Sequence, residues 1–292
     1  MRKRLSILAL ALFLLLSACG PSGGTSAAPD AGDTADSAPS AGTDLTVYGF
    51  DAGKADAFLL TTENSAVLID CGEKGFGKTI LSYLEAQGIT KLDYLIITHF
   101  DQDHVGGAAR ILNRFPVGTV LQTAGSKDSE EYEKYTKALL NASIEPVTVQ
   151  ETYSFILDGV QYSVDPPRKA KYADDTSNNV SLIVSVVNGE NSLLFTGDAR
   201  TERLQEFLSY NARTYDVLKI PHHGKEEPLL GDLLESVSPA YAVITSSAEE
   251  PEDSAVTDLL AQTGVETYLT RNGPVSVTSD GTSVQVRYAD VE

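Results

Sequence analysis

Thr98-His99-Phe100-Asp101-Gln102-Asp103-His104 sets four imidazole or carboxylate groups within six positions, directly after the apolar run Tyr94-Leu95-Ile96-Ile97. A buried strand that runs into such a cluster is expected to end in a metal site, because these are ligand types that zinc, manganese and iron accept. Positions 99 and 101 alternate, so both side chains can point the same way along an extended loop. Asp103 and His104 then open a helix running through Ala108, Ile111 and Leu112. A helix cap would account for Asp103 alone and leave the other three groups unexplained.

Outward from this stretch, other strands end in the same chemistry. Ala66 to Ile69 delivers Asp70, Leu193 to Phe195 delivers Gly197-Asp198, and Val217 to Ile220 delivers His222-His223-Gly224. All four histidines of the chain fall in the two histidine clusters, which scattered surface or core histidines would not do. Leu45 to Gly49, Ala57 to Thr61, Leu182 to Val187 and Tyr241 to Ile244 also read as strands. Helical spacing joins Ile80, Leu81 and Leu84; Tyr132, Tyr135, Leu139 and Leu140; Leu204, Phe207 and Leu208; and Leu259 with Leu260. Strands of both alternating and continuous apolar type predict two sheets with helices outside them, in one domain over 45–292. Ligand loops are expected to converge where the carboxyl ends of such strands meet.

The chain has 292 residues, 42% of them hydrophobic, enough for one large core. Its beginning is expected to stand apart from that core. Arg2, Lys3 and Arg4 precede the apolar run Leu5 to Leu16 and then Ser17-Ala18-Cys19-Gly20, which reads as a signal peptide over 1–18. As a helix the stretch reaches roughly 21 Å, short of a hydrocarbon core of about 30 Å. Leu16-Ser17-Ala18-Cys19 resembles the lipobox of bacterial lipoproteins, which implies lipidation of Cys19 and anchoring to the outer face of the cell membrane. Residues 19–44, rich in Gly, Ser, Ala, Pro, Thr and Asp, are expected to form a flexible linker. Cys71, the thiol that remains, reads as a small buried hydrophobe.

Taken in order, H-x-D-x-D-H at 99–104, T-G-D at 196–198 and P-H-H-G at 221–224 resemble the metallo-beta-lactamase superfamily, specifically the extracellular hydrolase domain of the competence protein ComEC and its stand-alone lipoprotein relatives. Phe50 to Ala57, Leu68 to Gly72, Tyr241 to Ile244 and the hairpin from Asn272 to Gly281 resemble further segments of that family, so the likeness spans roughly 45–288. The resemblance implies an α/β fold, a four-layer αββα sandwich, with two divalent metal ions, zinc or manganese. His99, Asp101 and Asp198 would hold one ion; Asp103, His104, Asp198 and His223 would hold the other, with His222 as the alternative to His223. Carboxylates in the ligand set favour harder ions, which leaves manganese as plausible as zinc. A divalent cation lowers the pKa of bound water from 15.7 toward about 7, so the implied nucleophile is a metal-activated hydroxide, oriented by Asp101 and Asp103 with Asp198 bridging. Asp70 is expected to accept the free N–H of a ligating imidazole. Lys225, or the amides near Gly106 and Gly107, would hold a phosphate or carboxylate group. Where the superfamily usually has a third histidine, this chain reads Thr176-Ser177-Asn178-Asn179. That departure leaves Asn178 and Asn179 beside the site and the first ion with three named protein ligands.

Charge narrows the substrate. Without the signal peptide, 19 basic residues face 41 acidic ones, a formal charge of −22 from the whole-chain value of −19. Nucleic-acid affinity rests largely on clustered Lys and Arg, so a nucleic-acid partner is possible through the metals yet disfavoured by charge. The expected activity is an exported phosphodiesterase or nuclease. The alternatives are hydrolysis of another ester, such as a lactone or cell-wall phosphocholine, and a non-catalytic metal- or ligand-binding module. Beta-lactam hydrolysis is disfavoured by the missing histidine. The sequence leaves oligomeric state open.

Overall fold

The computed structural model describes residues 43–290. The signal peptide, Cys19 and nearly all of the expected linker lie outside the described residues. Strands run in chain order as β1 (Leu45–Gly49), β2 (Phe58–Thr61), β3 (Ala66–Ile69), β4 (Leu92–Ile97), β5 (Val117–Gln122), β6 (Val147–Thr148), β7 (Tyr153–Leu157), β8 (Val160–Asp165), β9 (Ile183–Asn188), β10 (Asn191–Phe195), β11 (Val217–Lys219), β12 (Tyr241–Ile244), β13 (Glu266–Leu269), β14 (Val275–Ser279) and β15 (Val284–Tyr288). One sheet has the order β15-β14-β1-β2-β3-β4-β5-β6; the other has β13-β12-β11-β10-β9-β8-β7.

The inner faces of the two sheets meet through Val47, Leu60, Val67 and Ile96 on one side and Val164, Val184, Val186 and Phe195 on the other. Burying each such side chain contributes about 1.5–3 kcal/mol. The outer face of the first sheet is covered by α1 (Gly77–Ala86), α2 (Gln102–Val105), α3 (Ala108–Leu112) and α4 (Glu130–Ala142), through Ile80, Leu84, Val105, Ile111 and Tyr135. After the short α5 (Thr176–Asn179), the helices α6 (Thr201–Leu208), α7 (Leu230–Val237) and α8 (Ser254–Gln262) cover the second sheet through Leu204, Phe207, Leu233, Val237 and Leu260. The result is a four-layer αββα sandwich, as expected from the sequence.

Both sheets have a parallel part, β3-β4-β5 in the first and β10-β11-β12-β13 in the second. Their carboxyl ends carry Asp70, His99, Asp198, His223 and Thr245 to one edge of the sandwich. Two local expectations differ from the structure. Leu140 is 79% exposed while Leu139 is buried, because α4 centres its buried face on Tyr135, Ala138 and Leu139 and the next residue, about 100° further round, falls outside it. The helix after Asp103 is broken into α2 and α3 at Gly106 and Gly107, where the β3–α1 loop comes very close: an added Cβ would lie 2.4 Å from Lys74 N or 2.2 Å from Cys71 O. Cys71 is buried and unpaired, and its N–H donates to His104 O at 2.8 Å, which ties the first histidine cluster to the strand bearing Asp70.

Candidate metal centre

Asp103, His104, Asp198 and His223 each offer one ligand atom within 4.8 Å of the others. Asp198 lies at the centre of the group. Its Oδ1 is 3.3 Å from His104 Nε2 and its Oδ2 is 3.0 Å from His223 Nε2. Asp103 Oδ2 is 3.4 Å from the same His223 nitrogen, and the two Nε2 atoms are 3.4 Å apart. The first sheet supplies Asp103 and His104 and the second supplies Asp198 and His223, so the cluster exists only when the sheets are packed together.

The other nitrogen of each ring is held from behind. His104 Nδ1 lies 2.8 Å from Asp70 Oδ2, and Asp70 also accepts from Thr98 N and Thr98 Oγ1 at 2.8 and 2.6 Å. His223 Nδ1–H donates to Thr245 O at 3.1 Å, while Thr245 Oγ1 donates to Asp56 Oδ1 at 2.6 Å. An imidazole whose Nδ1 carries the proton presents a lone pair at Nε2, and both lone pairs point into the cluster. Asp70, expected behind a ligating imidazole, lies against His104 Nδ1. Asp56, Thr245 and the buried Lys219 were not foreseen. Lys219 Nζ bridges Asp56 Oδ2 at 2.6 Å, Gly197 O at 2.9 Å and Asp198 Oδ1 at 3.5 Å.

His223, rather than His222, joins the cluster. The chain takes left-handed φ at both, 49° and 54°, a conformation costing non-glycine residues about 1–2 kcal/mol each, and this turn sends the two rings apart. His222 faces outward, with Nε2 3.4 Å from Asn178 Nδ2 and Nδ1 3.4 Å from Glu227 Oε1. His99 is fully buried, with its ring 4.0 Å from that of His104 and its Nε2 lacking any hydrogen-bond partner among the described residues. Asp101 points to the outer side, where Lys127 Nζ approaches Oδ1 to 2.7 Å and Ser177 donates to the same oxygen.

Three expected contacts are corrected. Lys225 turns away from the cluster to Pro251 O and Asp253 Oδ1, at 3.0 and 3.1 Å. The Gly106 and Gly107 amides donate to Gln102 O and Gly72 O, so they are taken up in closing the turn and hold no anion. Asn179 Oδ1 accepts from Arg200 N and Arg203 N at 3.1 Å each, which satisfies free amides at the start of α6 and commits the side chain to the fold. Asn178 does reach the site's outer side through His222.

The electrostatics favour a cation. Burial opposes charge on Asp198, but His223, His104 and Lys219 hold its carboxyl well below the usual range. Burial likewise opposes protonation of His104 and His223, yet facing carboxylates raise both, with Asp198 the foremost. Burial and the neighbouring His104 lower His99. Two imidazole nitrogens and two carboxylates converging in a dry cluster form an N/O donor set that fits a divalent ion, which would displace the imidazole protons. The orphaned His99 Nε2 fits a further ligand position beside it.

The metallo-beta-lactamase superfamily profile matches residues 51–246. The chain belongs to that superfamily. At that level it is a metallo-beta-lactamase superfamily hydrolase. Among relatives, it is 30% identical over 209 residues to recombination protein 2 of Haemophilus influenzae, covering 69% of this chain and 24% of that one. It is 31% identical over 200 residues to competence protein ComA of Neisseria gonorrhoeae, covering 68% and 26%. The resemblance to the ComEC-like branch is borne out, and the chain spans about a quarter of the length of these curated relatives. The metallo-beta-lactamase fold protein YhfI of Bacillus subtilis superposes with a TM-score of 0.54 at 12% identity, over 78% of this chain and 96% of that one, a likeness of fold. Among the described residues, no helix is long and apolar enough to cross a membrane.

Proposed function

We propose that this metallo-beta-lactamase superfamily protein is an exported, lipid-anchored metal-dependent phosphodiesterase or nuclease that works at the outer face of the cell membrane. The observation that carries the reading is Asp198, whose two carboxylate oxygens face His104 and His223 across the junction of the sheets. Asp103, His104, Asp198 and His223 would hold one divalent ion, with Asp70 and Thr245 fixing the rings. His99, Asp101 and Asp198 would hold a second. The bound ions supply Lewis acidity and an acidified water at neutral pH. Asp101 and Asp103, whose side chains are 26% and 16% exposed, stand between the buried ligands and solvent, where they orient water and substrate. His222 and Asn178 line the same side. Carboxylates equal imidazoles two to two in the first set and outnumber them two to one in the second, which leaves manganese as well suited as zinc.

Names of the competence and recombination relatives support a phosphodiester substrate, whereas the formal charge of −19 opposes long polyanions except where metal charge prevails locally. The test is a panel of a small phosphodiester, an oligonucleotide, a lactone and a carboxylic ester, with and without manganese or zinc. Metal-dependent phosphodiester turnover, abolished by Asp198→Asn, is the expected result; turnover of the lactone or ester alone would transfer the protein to the other ester class, and metal binding without turnover would make it a binding module. Anchoring is checked by Cys19→Ala, which is expected to release the protein from the membrane fraction.

A further inference from the structure

Charge is distributed unevenly around the centre. Its interior holds His104, His223, Asp198, Asp70, Asp56 and Lys219, all buried. Its open side bears Asp101 and Asp103, and each has a lysine beside it. Lys54 Nζ stands 3.5 Å from Asp103 Oδ2, with the two side chains 21% and 16% exposed. Lys127 Nζ stands 2.7 Å from Asp101 Oδ1, with exposures of 36% and 26%, and also donates to Ser177 Oγ at 2.6 Å. Asp101 precedes α2 and Asp103 lies in its first turn, so each ammonium group stands beside a partly exposed carboxylate at the start of this one helix.

We infer that Lys54 and Lys127 form a two-armed clip for a phosphoryl oxyanion, which makes a small phosphodiester or phosphate ester the preferred substrate over a neutral ester. This rests on the metallo-hydrolase reading and narrows its substrate. The argument is one of charge. Five carboxylates (Asp56, Asp70, Asp101, Asp103, Asp198) share the region with three ammonium groups (Lys54, Lys127, Lys219). Imidazoles are neutral when they act as ligands, so the region is two charges negative without ions, neutral with one dication and two charges positive with two. Without the two outer lysines, the doubly loaded centre would be neutral and would hold no surplus for an anion. A carboxylate that turns its charge to a metal also releases its lysine to another anion. Lys54 is already poised for this: its ion pair is long, and the described residues hold no closer acceptor for it. The remaining surface is strongly acidic, at a formal −19 for the chain. A polyanion is therefore repelled along its length, while a single phosphoryl group is drawn to the focused positive field.

Phosphate binding, read without turnover, separates this clip from the hydrolase reading. Inorganic phosphate is titrated calorimetrically into the purified, metal-loaded full chain at low ionic strength, for wild type, K54Q, K127Q, the double variant and K225Q, whose ammonium faces Pro251 and Asp253. Each outer lysine is expected to account for about tenfold in affinity and the pair for more, an effect that added salt shrinks; K54R and K127R retain most of the affinity, and K225Q stays within about twofold of wild type. Equal phosphate affinity in wild type and the double variant at full metal content would overturn the clip even if phosphodiesterase activity is present. Loss of metal in K54Q or K127Q would overturn it too, by assigning the lysines to holding Asp103 and Asp101 for the ions. Competition by single-stranded oligonucleotides that strengthens with their length would reject the small-anion preference. Lysine-dependent phosphate binding in a protein that cleaves no phosphodiester would leave the clip standing and remove the phosphodiesterase reading.

Discussion

On the floor of the centre, Asp70, Thr245 and Lys219 are 0–2% exposed and each fixes an atom of a ligand or of the backbone beside it. On the rim, Asp101, Lys54, Lys127 and His222 keep part of their side-chain surface in water; Lys54 and His222 meet their acidic partners only at 3.5 and 3.4 Å, and the closer Lys127–Asp101 pair is open to solvent on both sides. The floor serves geometry: a buried polar atom without a partner costs about 1–3 kcal/mol, so each floor contact is under pressure to stay made. The rim serves exchange, since its groups can release a partner to solvent or substrate at small cost. The same loop feeds both, with His104 going down and Asp101 staying up, because the break at Gly106 and Gly107 pulls the end of α2 against the Asp70 strand while its start remains at the surface.

Substitutions can break this contrast in graded steps. The largest effect belongs to His223→Ala, which removes a ligand nitrogen and is expected to weaken metal binding more than about a hundredfold, beyond the range for residues that merely hold a ligand in place; competition against a fluorescent chelator measures it. Lys219→Met strips the buried partner from Asp56, 2.6 Å away, and is expected to lower the unfolding free energy of the metal-free protein by about 3–5 kcal/mol in denaturant titration. Asp70→Asn keeps the shape but loses the carboxylate behind His104, for an expected loss of about 10- to 100-fold in metal affinity. His222→Ala sharpens the contrast from the other side: it sits next in sequence to the ligand, yet metal affinity is expected to change by less than about threefold, because its ring faces Asn178 and Glu227. A large loss there would place His222 on the floor and undo the distinction.

The legible part of the molecule was its local part. Strands β1, β3 and β12 match their apolar runs because burial of a strand shows within four or five residues, and the H-x-D-x-D-H cluster was visible because its ligands are sequence neighbours. Strand β5 escaped since Gly118 and Thr119 interrupt its apolar run, and β7 because none of its residues is fully buried and Ile156 is 65% exposed. Within the site, adjacency misled twice. Lys225 directly follows the His-His-Gly turn, but successive left-handed residues swing it to Asp253; Asn179 stands beside Asn178, but the start of α6 claims it. Asp56, Lys219 and Thr245 were illegible for another reason. Their roles arise from partners 163 to 189 positions away across the sheet junction, and a lone lysine at a strand end reads as solvent-facing until the opposing aspartate is in place.

The central claim is that two sheets bring Asp103, His104, Asp198 and His223 around a common cation. Metal content of the purified full chain, measured by mass spectrometry after dialysis against manganese or zinc, tests it most directly when wild type is compared with Asp198→Asn of unchanged circular dichroism. The account predicts at least one tightly held ion per wild-type chain and its loss in the variant; a wild-type chain that retains no ion, or a variant that retains as much as wild type, would contradict it.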